Sequence, residues 1–412
     1  MLDNTQVSTF PALADATRIE TYGDAEKILI SPEFATELAE DVSAPLRKNT
    51  LPNIDGSPHE VRRRLMLPLF STPAIVRFHQ DITGPSIDMC LSECREARHP
   101  DGLVRADLVR LVRLMGLRTS AAMVGVDAID TPDRASALLD YVIRTQDGRN
   151  LRWSTRPAHE LLRDALEAEA AFVAEFLEPA IARRRGLIKQ HLAGEIGQVE
   201  LPSDLIMIML NNPQVWDDTL IIKDAMVLLV GGISTTSQAV TYAVEELKEW
   251  LPAHPEDNEK CRTLAFLRAF ANESLRLHPP ARFITRRALD DVTLPSGQAV
   301  AAGQVVLLVI DRINRDPLVF GDDADEFNPN RTLPPRYPGY GLSFGAGRHA
   351  CIGRPVVTTA AATTADEVER SVVPILRSLI DAGVTMDPQH QPTMFPSSTQ
   401  LFGTYPVILA RL

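Results

Sequence analysis

The run at residues 344–353, Phe-Gly-Ala-Gly-Arg-His-Ala-Cys-Ile-Gly, constrains this chain more than any other segment. Glycines at 345, 347 and 353 allow the backbone to wrap closely around the sulfur of Cys351 and to turn its amides inward. Amide donors and the N-terminus of a following helix both favour a thiolate over a thiol. We expect the next segment, rich in Ala, Thr and Val, to continue as that helix. For an isolated cysteine, a half-buried structural role beside a glycine-rich turn would be the better interpretation.

The run resembles the cysteine-ligand loop of the cytochrome P-450 family, the haem-thiolate monooxygenases. That pattern has Phe seven residues before the cysteine, Gly four before it, a basic residue two before it and Gly two after it. Phe344, Gly347, His349 and Gly353 meet it. The resemblance implies that Cys351 is the thiolate ligand of the iron of heme b, that Phe344 packs against the sulfur, and that His349 reaches a haem propionate.

Length and composition favour one large domain over residues 1–412. No Gly/Ser-rich or Pro-rich linker divides the chain, and no repeat or low-complexity tract is present. The longest apolar run, 225–233, is far shorter than a membrane span, and the first residues lack the pattern of a secretion signal. The chain has 4 cysteines, too few for a disulfide scaffold, which indicates a reducing compartment. We therefore expect a soluble, cytoplasmic, bacterial-type monomer without a membrane anchor.

The net charge of -12 argues against nucleic acid as a partner, because no basic tail or stripe offsets it. Cys90 and Cys94, with His99 nearby, raise the alternative of a metal site. Their spacing is helical and no second Cys or His pair follows, so apolar packing is the better interpretation.

Apolar periodicity predicts a mainly α-helical body that carries a small β-sheet region. The helical segments are 24–30, 58–70, 75–99, 105–124, 158–185, 217–250 and 263–276, and the strand-like segments are 292–294, 299–301, 305–309 and 403–412. The resemblance implies the cytochrome P-450 fold, with the haem between a long central helix and the cysteine-ligand loop.

A second motif lies in the predicted helix at 263–276. Glu273 and Arg276 are three residues apart on one helical face and can form an ion pair. Such pairs are common on solvated helices, but here Leu-His-Pro-Pro at 277–280 ends the helix as in family members. Residues 327–331 resemble the segment whose arginine, here Arg331, closes a network with that pair. The resemblance implies a buried structural triad that braces the Cys351 loop and helps haem incorporation, without a part in the chemistry.

A third motif, Leu-Leu-Val-Gly-Gly-Ile-Ser-Thr-Thr at 228–236, puts two glycines and three hydroxyls inside a long apolar segment. These residues are poor helix formers, and a hydroxyl bonded to the preceding turn opens a helix locally. A buried helix packed closely through glycine is an equal alternative. The resemblance places Gly231 and Gly232 at a kink over the iron, where dioxygen and water bind, and matches Thr235 to the threonine that supports proton delivery.

The residue before that threonine departs from the family pattern. Most relatives carry Asp or Glu there, whereas this chain has Ser234. A carboxylate relays protons from solvent, but a serine only passes them along a hydrogen-bonded water chain. Either another acid, a water route or the substrate itself replaces the acid, or turnover is slow and leaks to peroxide.

A fourth set concerns the anionic haem propionates, which favour Arg and His donors. Residues 56–64 resemble the family helix that crosses the haem edge, and His59 and Arg63 share one face of it. Arg286 matches the strand arginine that reaches the same carboxylates. With His349, these residues form the donor set that the resemblance implies.

The resemblance implies insertion of one oxygen atom from dioxygen into a small, mostly apolar substrate, by hydroxylation, epoxidation, dealkylation or oxidative coupling, in bacterial secondary metabolism or catabolism. By the same analogy the cavity walls are residues 41–55, 280–285 and 394–402. Apolar side chains at the cavity are Ile233, Phe283, Ile284 and Phe402. Arg282 either meets a carboxylate or faces solvent.

Electrons must come from another protein, because the chain lacks a dinucleotide-binding Gly-x-Gly-x-x-Gly after a strand. We expect an acidic ferredoxin with its ferredoxin reductase. Local basic clustering on an acidic protein would steer this partner to Arg62, Arg64, Arg348 and Arg354.

Two other classes of function remain as alternatives. A haem protein that binds or senses a small molecule without efficient turnover is kept open by Ser234. A helical protein with nucleophilic Ser/Thr chemistry is disfavoured, because the chain has no Gly-x-Ser-x-Gly elbow and no motif supplies a His or Asp partner.

Overall fold

The computed structural model describes residues 16–36, 42–99, 101–151, 154, 156–359, 368–395 and 401–412. Their contacts divide the chain into two compact units. The helical unit comprises Leu38–Glu93 and Arg110–Ser234, and the mixed unit comprises Met1–Glu37, Cys94–Val109 and Thr235–Leu412. The expectation of one domain over the whole chain stays a prediction.

The helical unit is built from amphipathic helices joined by turns and loops. Its helices are Ala44–Arg47, Gly56–Met66, Thr72–Phe78, Gly84–Glu96, Leu108–Val124, Pro132–Arg149, Ala158–Phe172, Glu178–Leu192, Leu205–Leu210 and the first half of Asp218–Ala253. The predicted helices 75–99 and 158–185 are each wrong in one respect, because π-helical turns at His79–Thr83 and Val173–Leu177 divide them. The wider ring of such a turn inserts one residue and shifts the buried face of the helix that follows.

The helix Pro132–Arg149 was not predicted, although its start has a clear local signal. The Thr131 hydroxyl accepts a hydrogen bond from the backbone N–H of Arg134, and Pro132 occupies the first turn. Both features stabilise a helix N-terminus, since they satisfy or remove amide donors that lack a helical partner.

All the described strands belong to the mixed unit. They are β1 (Thr17–Ile19), β2 (Phe34–Thr36), β3 (Arg105–Asp107), β4 (Phe283–Ala288), β5 (Val292–Thr293), β6 (Ala299–Val300), β7 (Val305–Val309), β8 (Val384–Met386), β9 (Thr393–Met394), β10 (Phe402–Thr404) and β11 (Pro406–Leu409). The main sheet has the order β1-β7-β4-β2, and a second sheet has the order β3-β11-β8. Residues 105–107 were predicted as helix and are a strand, because β3 pairs with the C-terminal β11.

Helices of the mixed unit flank these sheets. They are Tyr22–Ile30, the second half of Asp218–Ala253, Leu264–Leu277, Ile310–Ile313, Pro317–Phe320, Arg354–Val357 and Val372–Asp381. The predicted balance of a helical body with a small β region is therefore correct.

The core of the mixed unit anchors the Cys351 loop. Tyr22 belongs to this core and makes edge-on ring contacts with Phe320 and Tyr337. Leu342 belongs to the same buried cluster, and Ala346 packs against it. The chain thus enters the loop from a fixed point in the core.

The segment after Cys351 differs from the expectation of a continuous helix. Only Arg354–Val357 is helical, and Thr358 is already extended, with φ -159° and ψ 178°. The Thr358 hydroxyl instead donates to the Asn272 side-chain oxygen at 2.6 Å. Val356, Val357 and Thr358 are β-branched and lose side-chain freedom in a helix, which favours the early end. Residues 360–367 lie outside the described residues.

One helix in the described part of the chain, Asp218–Ala253, is long and apolar enough to cross a membrane by length and composition. Within its most apolar window, 44% of the residues are buried inside the protein. The core helices of globular proteins have the same two properties.

Candidate functional site

The Cys351 loop is held by backbone hydrogen bonds and by glycines in left-handed conformations. The Cys351 N–H donates to the Phe344 carbonyl at 2.8 Å, which closes the loop. Gly345 and Gly347 have φ of +64° and +65°, a region that residues with a side chain rarely adopt. A Cβ on Gly347 would lie 2.4 Å from the Leu29 carbonyl oxygen, so the loop packs directly on the end of the Tyr22–Ile30 helix.

The sulfur of Cys351 belongs to an exposed residue, although the loop beneath it is fixed. Cys261 provides the contrast, because its burial raises the pKa of its thiol to about 11. Half-exposed apolar residues surround Cys351 in the chain: Phe344, Ala346, Ala350 and Ile352. A single accessible thiol with an apolar rim fits the iron of a flat porphyrin. In the described residues, no group of three or more His, Cys, Asp or Glu side chains is arranged to hold a metal ion.

Two predicted residues accompany the sulfur in this loop. The Phe344 ring meets the ring of Tyr340 edge-on, with centroids 4.9 Å apart. His349 is half-exposed in the turn just before Cys351. The side chain of Ile284, a predicted cavity residue, lies 3.9 Å from the place a Cβ on Gly345 would take. The structure therefore brings Cys351, Phe344, His349 and Ile284 into one neighbourhood.

The remaining predicted propionate donors lie in both units. His59 and Arg63 follow each other by one turn of the Gly56–Met66 helix, where His59 is buried and Arg63 half-exposed. Arg286 lies on β4 opposite Val306 and donates to the neighbouring Thr285 carbonyl at 2.8 Å.

Arg62 does not belong to an exposed basic surface, so its predicted place in a docking site is wrong. Its side chain is buried, and Nη1 lies 2.7 Å from the Asn49 carbonyl oxygen and 3.5 Å from Asp224 Oδ2. The same Asp224 oxygen accepts the indole N–H of Trp216 at 2.8 Å. Burial raises the pKa of Asp224, and the Trp216 bond and the Arg62 charge oppose that rise.

Glu273, Arg276 and Arg331 form one buried network. Arg276 is fully buried and donates to both carboxylate oxygens of Glu273, at 2.7 and 2.8 Å. Arg331 Nε donates to Glu273 Oε1 at 3.1 Å. Arg276 also donates to the carbonyls of Asn314 and Ala324. The carboxylate and both guanidinium groups are thus hydrogen-bonded on several sides, as buried charges require.

The helix Asp218–Ala253 runs as one α-helix through the glycine and hydroxyl segment. Gly231 and Thr235 are exposed and lie one turn apart on one face, while Ile233 and Ser234 are buried. The two glycines differ. A Cβ on Gly232 would lie 2.7 Å from the Ser120 hydroxyl, whereas a Cβ on Gly231 would meet no atom within 4 Å.

The other predicted cavity residues differ in their exposure and in their contacts. Phe283 is half-exposed, like its neighbour Ile284 on β4. Phe402 is buried, with its ring centroid 4.8 Å from Tyr242 and 5.0 Å from Tyr405. Arg282 forms an ion pair with the buried Asp311, so its charge is already balanced within the protein. Residues 41 and 396–400 of the predicted walls lie outside the described residues.

Sequence reasoning missed two residues that shape this region. Tyr340 supports the Phe344 ring and accepts a hydrogen bond from Arg354 at 3.2 Å. Gln238 forms two hydrogen bonds with the backbone of Phe402, both at 2.8 Å. A glutamine inside an apolar helix is itself a signal, because a buried amide needs partners. Tyr340 carries no comparable local signal.

A family model, sequence relatives and solved structures all indicate one protein family. The family model described as Cytochrome P-450 matches residues 19–359. A bifunctional cytochrome P-450/NADPH–P-450 reductase of Fusarium oxysporum is 32% identical over 178 residues, which are 37% of this chain and 17% of that protein. Cytochrome P-450 4F5 of Rattus norvegicus is 28% identical over 251 residues, 52% of this chain and 44% of the relative. The chain thus matches less than half the length of either relative.

The crystal structure of CalO2 superimposes with a TM-score of 0.72 at 21% identity, covering 97% of this chain and 94% of that one. This likeness confirms the predicted fold. Members of the family hold heme b through a cysteine thiolate. A family model that matches most of the sequence, together with the fold, confirms the resemblance of the Cys351 loop: the chain belongs to the cytochrome P-450 family.

Proposed function

We propose that the chain is a haem-thiolate monooxygenase that inserts one oxygen atom from dioxygen into a small, mostly apolar organic substrate, by hydroxylation, epoxidation, dealkylation or oxidative coupling. The observation that carries the proposal is the exposed Cys351 on a loop fixed by the Phe344 carbonyl and by Gly347. A reactive atom that is open to a ligand while its backbone is tightly packed is the arrangement a metal ligand needs. We assign a role in bacterial secondary metabolism or catabolism.

The assigned haem contacts follow from donor chemistry. The Cys351 thiolate binds the iron and Phe344 shields the sulfur. His349, Arg286, His59 and Arg63 donate to the two propionates. Bound haem supplies reductive activation of dioxygen and transfer of one oxygen atom to the substrate. The Glu273, Arg276 and Arg331 triad supports the loop without touching the reacting atoms.

Proton handling is assigned to the exposed face of the long helix. Thr235 presents its hydroxyl from this face, and the open space beside Gly231 admits a water or dioxygen molecule. Gly232 serves close packing instead, because of its contact with Ser120. Ser234 is buried and carries no charge, so it holds a proton only within a hydrogen-bonded chain. We expect proton delivery to be slower than with a carboxylate at this position.

The substrate contacts are assigned to apolar side chains: Ile233, Phe283, Ile284 and Phe402. The pairing of Arg282 with Asp311 argues against a salt bridge from Arg282 to a substrate carboxylate. Separating that pair would leave a buried carboxylate uncompensated, which is costly.

Electrons are proposed to come from a separate ferredoxin with its ferredoxin reductase. The docking residues are Arg64, which is exposed, and Arg348 and Arg354, which are half-exposed. Charge reversal at Arg348 should slow reduction at low ionic strength and leave it unchanged at high salt, since surface steering is screened by salt. We further propose a cytoplasmic, soluble, bacterial-type monomer whose two units form a single domain, because the family model spans parts of both.

The test is turnover in labelled dioxygen. Haem-loaded protein, a ferredoxin, its reductase and NADPH are incubated with a panel of terpenoids, aromatics and fatty acids that shift the haem spin state. We expect a product that carries one labelled oxygen atom. Thr235→Ala should lower product per NADPH and raise peroxide, whereas the buried control Thr241→Val should not. Spin-state shifts without any product across the panel would favour the alternative, a haem protein that binds or senses a small molecule.

A further inference from the structure

Gln238 joins the long helix to the first residue of β10 through a complete amide pair. Its side-chain Nε2 donates to the Phe402 carbonyl, and its Oε1 accepts the Phe402 N–H, both at 2.8 Å. Both residues are buried, with 4% and 6% of their surfaces exposed. The orientation of the amide is fixed, because exchanging its oxygen and nitrogen would set donor against donor.

This pair takes the place of a neighbouring strand. On one side, Phe402 is paired in register with Met394 of β9. On its other side, the strand offers a donor and an acceptor that would otherwise be buried without partners, which is costly. Gln238 presents the complementary donor and acceptor, so the edge of β10 is capped by one side chain.

Two further side chains on the same face of the long helix contact the C-terminal segment that begins at Phe402. Tyr242, four residues after Gln238, packs its ring against Phe402, and Glu245 accepts a hydrogen bond from the Tyr405 hydroxyl. The spacing of four and three residues keeps these side chains in one stripe. Gln238 bonds to both backbone groups of Phe402, so it fixes the path of the chain at that residue.

Gln238 lies three residues after Thr235, about one helical turn further along the same side of the helix. We propose that Gln238 is a positioning residue: it sets the distance between the Thr235 turn and Phe402, the last residue of the proposed cavity wall, and thereby decides which bulky ligands fit. This rests on the proposed function, since the wall matters only if the cavity holds a ligand. Gln238 itself touches neither ligand nor haem in this scheme.

The first test needs no haem. Amide hydrogen exchange at Phe402 is measured in the wild-type protein, in Gln238→Leu and in Thr241→Val. Thr241 is a matched control, because it is also buried in the same helix and its hydroxyl donates to the Ser237 carbonyl of that helix. We expect exchange at Phe402 to be at least about tenfold faster in Gln238→Leu, as for the loss of one buried hydrogen bond. Equal rates in the three proteins would overturn the proposal.

The second test compares a small and a bulky iron ligand by spectral titration of the haem-loaded protein. Imidazole is too small to reach a cavity wall, whereas 4-phenylimidazole extends towards it. In Gln238→Leu we expect the dissociation constant of 4-phenylimidazole to change by about tenfold and that of imidazole by less than about twofold. Faster exchange at Phe402 with no change for either ligand would overturn the positioning role.

A third variant keeps the test decisive if Gln238→Leu folds poorly. In Gln238→Glu the ionised carboxylate accepts the Phe402 N–H but repels its carbonyl, while the protonated carboxyl has one donor and one acceptor, like the amide. We expect altered 4-phenylimidazole affinity at about pH 8 and recovery towards wild type at about pH 5. An altered affinity that does not depend on pH would contradict the amide pair as the cause. If wild-type protein binds neither imidazole, the proposed function fails, and the wall role fails with it.

Discussion

The Cys351 loop and the Glu273 network lie in the same unit but use burial in opposite ways. In the network every charged group is enclosed, and the guanidinium of Arg276 has no exposed surface. In the loop the backbone is packed as tightly, with Gly347 against Leu29, while Cys351 is left exposed. A group whose bonds are all satisfied inside the protein supports structure. A reactive atom that is left accessible on a rigid support is available for a ligand.

The long helix repeats this contrast between neighbouring residues. Gly231 faces open space, whereas Gly232 allows close approach to Ser120. Close packing through glycine, one of the two alternatives drawn from the sequence, therefore holds at Gly232. The kink at Gly231 and Gly232 stays a prediction. We therefore expect substitutions at enclosed and at open positions to differ in the free energy of unfolding that they cost.

Arg276→Met should have the largest effect. The change leaves the Glu273 carboxylate buried with fewer partners, and removal of one partner of a buried pair costs about 3–5 kcal/mol. Urea unfolding measures it, with Arg262→Met, at an exposed arginine, as the control. Equal midpoints for the two variants would show that the network carries no special stability.

Gly347→Ala should cost about 1–3 kcal/mol, because alanine is strained at positive φ and its Cβ would collide with the Leu29 carbonyl. Gly353→Ala is the matched control in the same loop. Its φ is -80° and the new Cβ would lie 3.8 Å from the Cys351 sulfur, an ordinary contact. A larger loss of stability for Gly353→Ala than for Gly347→Ala would contradict this account of the loop.

Gly232→Ala should lose about 1 kcal/mol or more, since Ser120 must move to admit the methyl group. Gly231→Ala should instead be neutral or gain up to about 1 kcal/mol, because alanine is the better helix former and meets open space. Thermal unfolding of the two variants decides the order. The reverse order would remove the distinction between a packing glycine and an open one.

Cys351→Ala should change the free energy of unfolding of the haem-free protein least, by less than about 0.5 kcal/mol, because the residue is exposed. The glycines and the Phe344 carbonyl bond hold the loop whatever side chain is present. Denaturant unfolding of the haem-free variant measures the change. A loss comparable with that in Gly347→Ala would mean that the thiol is a structural group.

Local patterns predicted the parts of the fold that local sequence decides. The apolar run of Val305–Val309 predicts a strand with the bounds that β7 has. The helix expected after Cys351 ends early, because its β-branched residues are weak helix formers. The spacing of Glu273 and Arg276 put them on one face of a helix, where the structure has them.

Other features depend on partners far away in the chain. Arg62 resembles a surface charge in its basic run, but Asp224 and the Asn49 carbonyl draw it inward. The sequence does not decide whether Arg282 meets a substrate carboxylate or solvent, because its partner Asp311 lies 29 residues later. The π-helical turns at His79–Thr83 and Val173–Leu177 have no local signature. The polarity of a side chain alone does not predict whether it will be buried in the folded protein.

The absorption of the carbon monoxide adduct of the reduced, haem-loaded protein tests the central claim most directly. We predict the strongly red-shifted Soret band of a thiolate-bound ferrous carbonyl in the wild-type protein. In Cys351→His the haem should stay bound and this band should be lost. A wild-type protein that stays colourless after haem supplementation, or a red-shifted band that survives in Cys351→His, would contradict the account.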